Sequence, residues 1–324
     1  MKAAVYTAKG AAREVLKVVE RQTPEPVDDE VRVRLSFSGV NPSDVKTRGR
    51  ASMEFPEVIP HSDGAGVVEK LGPQAPKDLL QSRVWVYNGQ WERACGTAAD
   101  HIVLPASQVV ELPDDVPLEV GASLGIPLMT AYHAVQACES LAGKTVLVPG
   151  AAGSVGFYAA QLARLAGAKV IAVVSSEGKA AIARTAGAHS VVNYRTQDVG
   201  EAVRDLTEGR GADCIIEVDA GGNAARYGDF LAFGGKAVIY GSNTADVTLP
   251  FRPMIMGFVT LYFFIVYRLP AQMLIETTRG ITGLLSSGDL KHPEAAIYSL
   301  DQIVQAHERV EQGANAKVLI QLPR

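Results

Sequence analysis

The 324-residue chain has few cysteines and no large excess of charge of either sign. Its 31 basic and 35 acidic residues leave a net charge of −4, so it lacks the basic excess typical of a dedicated nucleic-acid-binding protein. Its three cysteines, Cys95, Cys138 and Cys214, are far apart in sequence. This spacing excludes a four-cysteine zinc knuckle and predicts no disulfide framework.

The N-terminus has no apolar segment of signal-peptide length behind a basic start, so we expect a cytoplasmic protein with reduced cysteines. A composition of 47% apolar and 20% charged residues excludes a mainly disordered chain, a fibre and a coiled-coil rod. The one long uncharged run spans fifteen residues, 253–267, whereas a helix that crosses a bilayer needs about 20. The later half of this run favours a β-strand, either buried in the core or exposed at a hydrophobic subunit interface.

The spacing of apolar residues changes twice along the chain. Short β-prone runs separated by turn residues fill the first 110 positions, and a helical stretch rich in alanine and leucine follows at 118–138. From Lys144 onward, apolar strands alternate with amphipathic helices, which is typical of βαβ units and a parallel sheet. The chain therefore predicts an α/β protein with two domains.

A glycine-rich turn in the segment 146–168 is the most informative motif. Gly150, Gly153 and Gly156 follow a buried strand and precede a helix, which is the arrangement that lets a backbone approach a pyrophosphate. A structural turn without a ligand is the alternative. The residues predicted to bind the cofactor at this turn are Ala152, Gly153, Ser154 and Val155.

The next strand carries the information on the type of dinucleotide. A site for NAD usually has an acidic residue at the tip of this strand to bind the ribose 2′-hydroxyl. Here the strand ends in Ser175 and Ser176, and Lys179 follows, although Glu177 lies nearby. Small hydroxyl groups and a cation favour a 2′-phosphate, so we predict NADPH with Ser175 and Lys179 as ligands. The alternative is that Lys179 is an ordinary solvated residue.

Six motifs in order along the chain resemble zinc-independent quinone oxidoreductases of the zeta-crystallin type, within the medium-chain dehydrogenase/reductase superfamily. This resemblance implies a GroES-like β-rich domain, formed by residues 1–122 and 266–324, and a Rossmann domain of residues 123–265. The six motifs are SGVNPSD (38–44), IPHSDGAGVVEKLG (59–72), IPLMTAYHAV (126–135), VLVPGAAGSVG (146–156), GAHSVVNYR (187–195) and AHERVEQGANAKVLI (306–320).

The resemblance also implies roles for single residues. Asn41 matches an active-site asparagine that holds the substrate oxygen or the nicotinamide ribose, although an asparagine before a proline also caps turns. Lys46 stands where several relatives have a tyrosine at the catalytic site. The segment around Thr260 implies an edge strand that pairs across a homodimer axis. The further residues implied to contact the cofactor are Thr130, Tyr194, Gly241, Ser242, Asn243, Thr260 and Leu261.

Zinc alcohol dehydrogenases of the same superfamily have a cysteine ligand at the position of Asn41 and a Gly-His-Glu motif where this chain has His61, Ser62 and Asp63. A catalytic zinc site needs three protein ligands, so this departure predicts a reaction without zinc and makes His61 a packing residue. The chemistry that remains favoured is NADPH-dependent reduction of quinones. The alternatives are reduction of 2-alkenals or enoyl groups, and an NADPH-binding protein with weak catalysis that acts in RNA binding or as a structural factor.

Overall fold

The computed structural model describes residues 1–49 and 52–323, which form two compact units. The first unit combines Met1–Ile126 with Thr278–Arg324, and the second is Pro127–Thr277. The junctions predicted from the sequence, after residues 122 and 265, precede the two junctions of the structure. Arg50, Ala51 and Arg324 belong to the predicted GroES-like segments and lie outside the described residues.

Short strands dominate the first 126 residues, as their alternation predicts. In strand β3, for example, Val31, Val33 and Leu35 are fully buried and alternate with more exposed polar residues. The strands are β1 Lys2–Val5, β2 Lys17–Glu20, β3 Glu30–Val40, β4 Asp63–Leu71, β5 Arg83–Val86, β6 His101–Pro105 and β7 Val109–Glu111. The helices are α1 Ala12–Val15, α2 Pro42–Gly49 and α3 Leu118–Gly121.

Helix α2 is an element that the β-type alternation did not predict. Pro42 occupies its first position, where the missing N–H leaves no hydrogen bond unmade. The Asp44 carboxylate accepts a hydrogen bond of 2.7 Å from the backbone N–H of Asn41, which closes the first turn. The helix buries Asn41, Asp44 and Arg48 on one face and exposes Lys46.

The second unit is a doubly wound α/β domain. Its six parallel strands lie in the order β10-β9-β8-β11-β12-β13, which confirms the predicted Rossmann class. The strands are β8 Thr145–Pro149, β9 Lys169–Val174, β10 Ser190–Asn193, β11 Ala212–Glu217, β12 Leu231–Ile239 and β13 Thr260–Phe263. The helices are α4 Met129–Ala137, α5 Ser154–Leu165, α6 Glu177–Thr185, α7 Val199–Leu206, α8 Ala220–Asn223, α9 Tyr227–Phe230 and α10 Phe251–Met256.

The tail of the chain completes the first unit. Helix α11, Ala271–Ser287, crosses the junction between the two units at Thr278. The elements that follow it are β14 Ala295–Ser299, α12 Ile303–Glu311 and β15 Lys317–Gln321. Strand β15 lies inside the main sheet of this unit, in the order β14-β15-β3-β4-β5-β7, and β6 also pairs with β3. Val318 pairs with Val40 in the antiparallel β15–β3 ladder, so residues just after β3 lie beside the start of β15.

The uncharged run at 253–267 is not a buried strand, so that alternative is wrong. Residues 253–256 of the run lie in helix α10, and strand β13 is at the edge of the sheet, where Phe263 remains 58% exposed. None of the four residues of β13 is buried. Within residues 1–49 and 52–323, no helix combines the length and the apolar character needed to cross a membrane.

The expectation that the cysteines form no disulfide is wrong for one pair. Cys138 follows helix α4, and Cys214 lies in strand β11, and the two side chains form a disulfide with a Cα–Cα distance of 6.2 Å. Both residues are buried. Their 76-residue separation in sequence concealed that the fold brings them together. Cys95 is free and exposed, and the cytoplasmic location stays a prediction.

Candidate functional site

The glycine turn of the second unit lies between β8 and α5, as predicted. Gly150 has a φ of +69°, a left-handed conformation that side chains disfavour. Gly156 faces this turn from the first turn of α5, and a Cβ there would overlap the carbonyl oxygen of Gly150. Glycine at both positions therefore permits a tight turn with the helix packed directly against the strand.

The start of helix α5 differs from the starts of two neighbouring helices. The Ser176 hydroxyl accepts a backbone N–H bond of 3.3 Å at the start of α6, and the Asp198 carboxylate accepts one of 2.9 Å at the start of α7. The N-cap of α5 is Gly153, which has no side chain to accept such a bond. No side chain therefore caps the backbone N–H groups at the positive end of this twelve-residue helix, where Ser154 and Val155 are its first residues. This arrangement fits a pyrophosphate group.

The carboxyl ends of β8, β9 and β10 meet at one edge of the sheet, because Pro149 pairs with Val173 and Asn193 with Val174. Ser175 and Tyr194 directly follow β9 and β10, so both come to the same edge as the glycine turn. Ser175 is half-buried, and Tyr194 is 54% exposed.

The acidic residue nearest to the tip of β9 has a cation partner. The Glu177 carboxylate accepts a hydrogen bond of 2.6 Å from the guanidinium of Arg184, about two turns further along the same face of α6. Lys179, in the first turn of the same helix, is half-buried. The tip of β9 therefore combines serine hydroxyls with a lysine, while its glutamate is held by an arginine.

The turn at Gly241, Ser242 and Asn243 follows strand β12 at the same edge of the sheet. The Asp219 carboxylate, after β11, accepts two bonds of 2.8 Å from the backbone N–H and the side-chain amide of Asn243. The Ser242 hydroxyl accepts a bond of 3.2 Å from the N–H of Gly221. Asp219 thus fixes a predicted cofactor-binding turn. The sequence analysis did not single it out, although its position directly after an apolar strand was a usable signal.

In the first unit, Asn41 lies in a buried polar cluster. Its side-chain amide donates a bond of 2.7 Å to the Asp63 carboxylate, and its carbonyl oxygen accepts one of 2.6 Å from the Lys317 ammonium. Lys317 also lies 3.3 Å from the same carboxylate. All three residues are at most 2% exposed. Asp63 and Lys317 thus place a buried ion pair around the predicted active-site residue.

Burial dominates the electrostatics of this cluster. It raises the pKa of Asp63, and the Lys317 ammonium and the Asn41 amide oppose that rise. Burial and the charge of Asp63 raise the pKa of Asp44 to about 7. The cluster holds two carboxyl groups and one lysine, so Asp44 is the group that takes up a proton near neutral pH.

A hydrogen-bonded chain runs from helix α2 to the backbone of Asp63. Arginine only donates and a carbonyl only accepts, so both ends fix the same direction of donation along the chain. The imidazole of His307 is therefore protonated on Nε2 and that of His61 on Nδ1, and both rings are neutral. The successive donors and acceptors are Arg48 Nε to His307 Nδ1 (3.4 Å), His307 Nε2 to His61 Nε2 (2.9 Å), His61 Nδ1 to Ser38 (2.8 Å), Ser38 to Thr97 (2.8 Å) and Thr97 to the Asp63 carbonyl (2.6 Å).

Both units match family models: an alcohol dehydrogenase GroES-like domain over residues 27–114, and a zinc-binding dehydrogenase over residues 154–281. Human quinone oxidoreductase is 31% identical over 317 residues, which cover 94% of this chain and 92% of that protein. A quinone oxidoreductase of Pseudomonas aeruginosa is 33% identical over 72% of each chain. The chain belongs to the quinone oxidoreductase-like medium-chain dehydrogenases/reductases.

Solved structures agree with this membership. A quinone oxidoreductase of Pseudomonas syringae superposes with a TM-score of 0.87 at 26% identity, covering 99% of both chains. A mycobacterial protein in complex with NADPH superposes with a TM-score of 0.88 at 25% identity, again over 99% of each chain. As a member of this family, the chain is an oxidoreductase of the quinone oxidoreductase type that uses a nicotinamide cofactor.

Three other residues that the family resemblance assigns to the cofactor do not follow the carboxyl end of a strand. Thr130 is buried in the first turn of α4. Thr260 and Leu261 pair with Lys236 and Ala237, three and two residues before the end of β12. This register places Thr260 and Leu261 two to three residues short of the carboxyl end of β12, and their contact with the nicotinamide stays a prediction.

The positions that hold zinc in other members of the superfamily have other partners here. His61, which stands at the glycine position of the zinc motif beside Ser62, uses both ring nitrogens within the buried chain, with Ser38 and His307. Asn41 and Asp63 are held by Lys317. His61 is therefore buried and hydrogen-bonded, as a packing residue would be. Sequence analysis missed Lys317 because a charged residue beside an apolar strand is usually solvated. It missed His307 because this helical residue meets His61 across 246 positions of sequence.

Proposed function

We propose that the protein reduces quinones with NADPH by hydride transfer and without zinc. The observation that carries the choice of NADPH is the tip of β9, where Ser175 and Lys179 are present and Glu177 is paired with Arg184. A free carboxylate at this place would repel a 2′-phosphate, whereas hydroxyl groups and a lysine bind it. The quinone substrate rests on the similarity to quinone oxidoreductases.

Bound NADPH supplies the hydride, and the chain supplies position and charge. The N–H groups at the start of α5 would hold the pyrophosphate, and Ser175 with Lys179 would hold the 2′-phosphate. Tyr194 would contact the adenosine, and the turn at Gly241 would contact the ribose of the nicotinamide. Asn41 donates its amide N–H to the oxygen of the substrate or of the ribose, so that negative charge that develops on a quinone oxygen is stabilised.

The proposed independence from zinc is supported by the side chains at the zinc-ligand positions and by their hydrogen bonds. The positions of the cysteine and histidine ligands hold Asn41 and Ser62, and Asn41, Asp63 and the neighbouring His61 are engaged in hydrogen-bonded networks. Without a Lewis acid to ionise an alcohol, an acceptor that is already electron-poor is favoured. Metal analysis of the purified protein that gives one zinc per chain would contradict this part of the proposal.

Acceptor assays separate the candidate functions. NADPH and NADH oxidation are followed with 1,4-benzoquinone and with 2-hexenal, and the products are identified. We expect fast NADPH oxidation with the quinone. Saturated aldehyde as the main product would replace quinone reduction with alkenal reduction, and turnover of neither acceptor with tight NADPH binding would favour a binding protein.

A pair of lysine variants tests the cofactor site. Lys179→Met removes the cation at the tip of β9, so we expect the KM for NADPH to rise about tenfold while the KM for NADH stays unchanged. Lys169→Met is the control, because Lys169 is exposed at the opposite end of the same strand. Equal effects of Lys179→Met on both cofactors would contradict the 2′-phosphate role.

We also propose that the protein is a homodimer through strand β13. An edge strand presents unpaired backbone groups, and apolar side chains here, including Phe263 and Ile265, are 58% and 45% exposed. Light scattering behind a sizing column should give twice the chain mass of 34.4 kDa. A mass of one chain at micromolar concentration would refute the dimer.

A further inference from the structure

We infer that Lys317 and Asp63 are positioning residues that hold the carboxamide of Asn41 in one orientation. The inference rests on the active-site role proposed above for Asn41. Oxygen and nitrogen of an asparagine side chain have nearly the same shape, so only their partners decide which way the group faces.

The partners of Asn41 admit a single orientation. An ammonium has hydrogens to donate and nothing to accept with, so the atom 2.6 Å from the Lys317 ammonium is the Asn41 oxygen. The Asp63 carboxylate only accepts when it is ionised, so the atom 2.7 Å from it is the Asn41 nitrogen. The Lys317 ammonium also lies 3.3 Å from the Asp63 carboxylate and stabilises its charged form.

The pairing of strands β3 and β15 places Lys317 close to Asn41. Asn41 directly follows β3 and Lys317 begins β15, and the pairing of Val318 with Val40 brings them side by side. Gly39 leaves room for the lysine stem, because a Cβ there would lie 3.1 Å from its Cε. The second oxygen of Asp63 accepts a bond of 2.7 Å from the N–H of Ile126, so the carboxylate cannot rotate freely.

The orientation matters because rotation of the Asn41 carboxamide by 180° exchanges its N–H donors for an oxygen acceptor. One N–H of Asn41 is used by Asp63, and this sets the direction of its second N–H. If Lys317 and Asp63 did not define the group, its oxygen would occupy the place of the nitrogen in part of the molecules. An oxygen in that place repels the substrate or ribose oxygen that the N–H is proposed to bind.

Removing only one member of the pair would leave a buried charge without its partner and endanger folding. The main variant is therefore the neutral pair Lys317→Met with Asp63→Asn, and Lys317→Arg retains the cation as the conservative control. We expect the neutral pair to lower kcat for 1,4-benzoquinone about tenfold, whereas Lys317→Arg alone should retain most of the wild-type kcat. In an Asn41→Ala background, the neutral pair should change kcat less than about twofold, because its effect acts through Asn41.

A second measurement does not depend on turnover. The side-chain amide protons of Asn41, assigned by their loss in Asn41→Ala, should resonate far apart in the wild type because one of them is bonded to a carboxylate. They should approach each other in the neutral pair. Unchanged amide resonances, or an equal loss of kcat with and without Asn41, would overturn the positioning role. A wild type that turns over no acceptor would instead overturn the proposed function and leave the spectra to decide the positioning role.

Discussion

As the pH falls below 6.5, the contribution of His307 to the stability of the first unit should decrease. This imidazole is fully buried and neutral, and each of its nitrogens already has a partner: Nδ1 faces the Arg48 guanidinium, and Nε2 faces His61. A further proton would have to be placed on Nδ1, against a group that only donates. The folded chain therefore resists protonation at a site where the unfolded chain accepts it.

The size of the effect follows from the shift of the pKa. Burial, and secondarily the charge of Arg48, lower the pKa of His307 from 6.5 to about 3. Stability is thus lost as the pH falls from 6.5 toward 3, by about 2 kcal/mol at pH 5 and about 3 kcal/mol at pH 4. Asp44 has the opposite effect on stability. Its pKa is about 7 in the folded chain and 3.8 in the unfolded chain, so as the pH falls below 7 the folded chain binds a proton first and gains stability.

The contribution of His307 is isolated by comparison with His307→Gln, which does not titrate and still has an N–H to donate to His61. Urea unfolding at pH 7.5, 6 and 5 is followed by the fluorescence of the buried Trp85, which belongs to the same unit. The free energy of unfolding of the wild type should fall relative to the variant by about 2 kcal/mol between pH 7.5 and pH 5. A difference that stays constant over this range would refute the reasoning, and so would nitrogen NMR spectra that place the His307 proton on Nδ1.

Three further predictions concern packing, specificity and the disulfide. Gly39→Ala should lower the free energy of unfolding by about 3 kcal/mol, because the added Cβ overlaps the carbonyl oxygen of Ala122, and urea unfolding measures it. Lys46→Met should reduce kcat/KM for acceptors with an anionic group more than for neutral ones, and equal values across acceptors would remove Lys46 from the site. Peptide mapping without reductant should recover Cys138 linked to Cys214, and reduction of this 76-residue loop should lower stability by up to about 4 kcal/mol.

The parts of the fold that local periodicity encodes could be predicted from the sequence. The alternation of strands and helices after Lys144 indicated the parallel sheet, and the glycines at 150, 153 and 156 indicated the turn before α5. Helix α2 was missed although Asn41, Pro42 and Asp44 form a helix-start signal, because the surrounding residues alternate like strands. Here the local signal was present and a neighbouring pattern outweighed it.

Contacts between distant segments were beyond prediction. Lys317 stands beside an apolar strand and gives no sign that it is 1% exposed, because its partners Asn41 and Asp63 are more than 250 positions away. Cys138 and Cys214 are concealed in the same way. These residues became visible only when the register of β15 against β3 and the packing of the second unit were known.

The inner position of β15 in its sheet also affects the order in which the two units can fold during synthesis. All strands of the second unit are complete at Phe263, whereas the sheet of the first unit lacks an inner strand until residues 317–321 arrive. Synthesis proceeds at about 5–20 residues per second, so roughly 10 to 50 s pass between the synthesis of Asp63 and that of its partner Lys317. During that interval the second unit is able to fold, while the first holds a carboxylate and an open sheet edge that only the final strand covers.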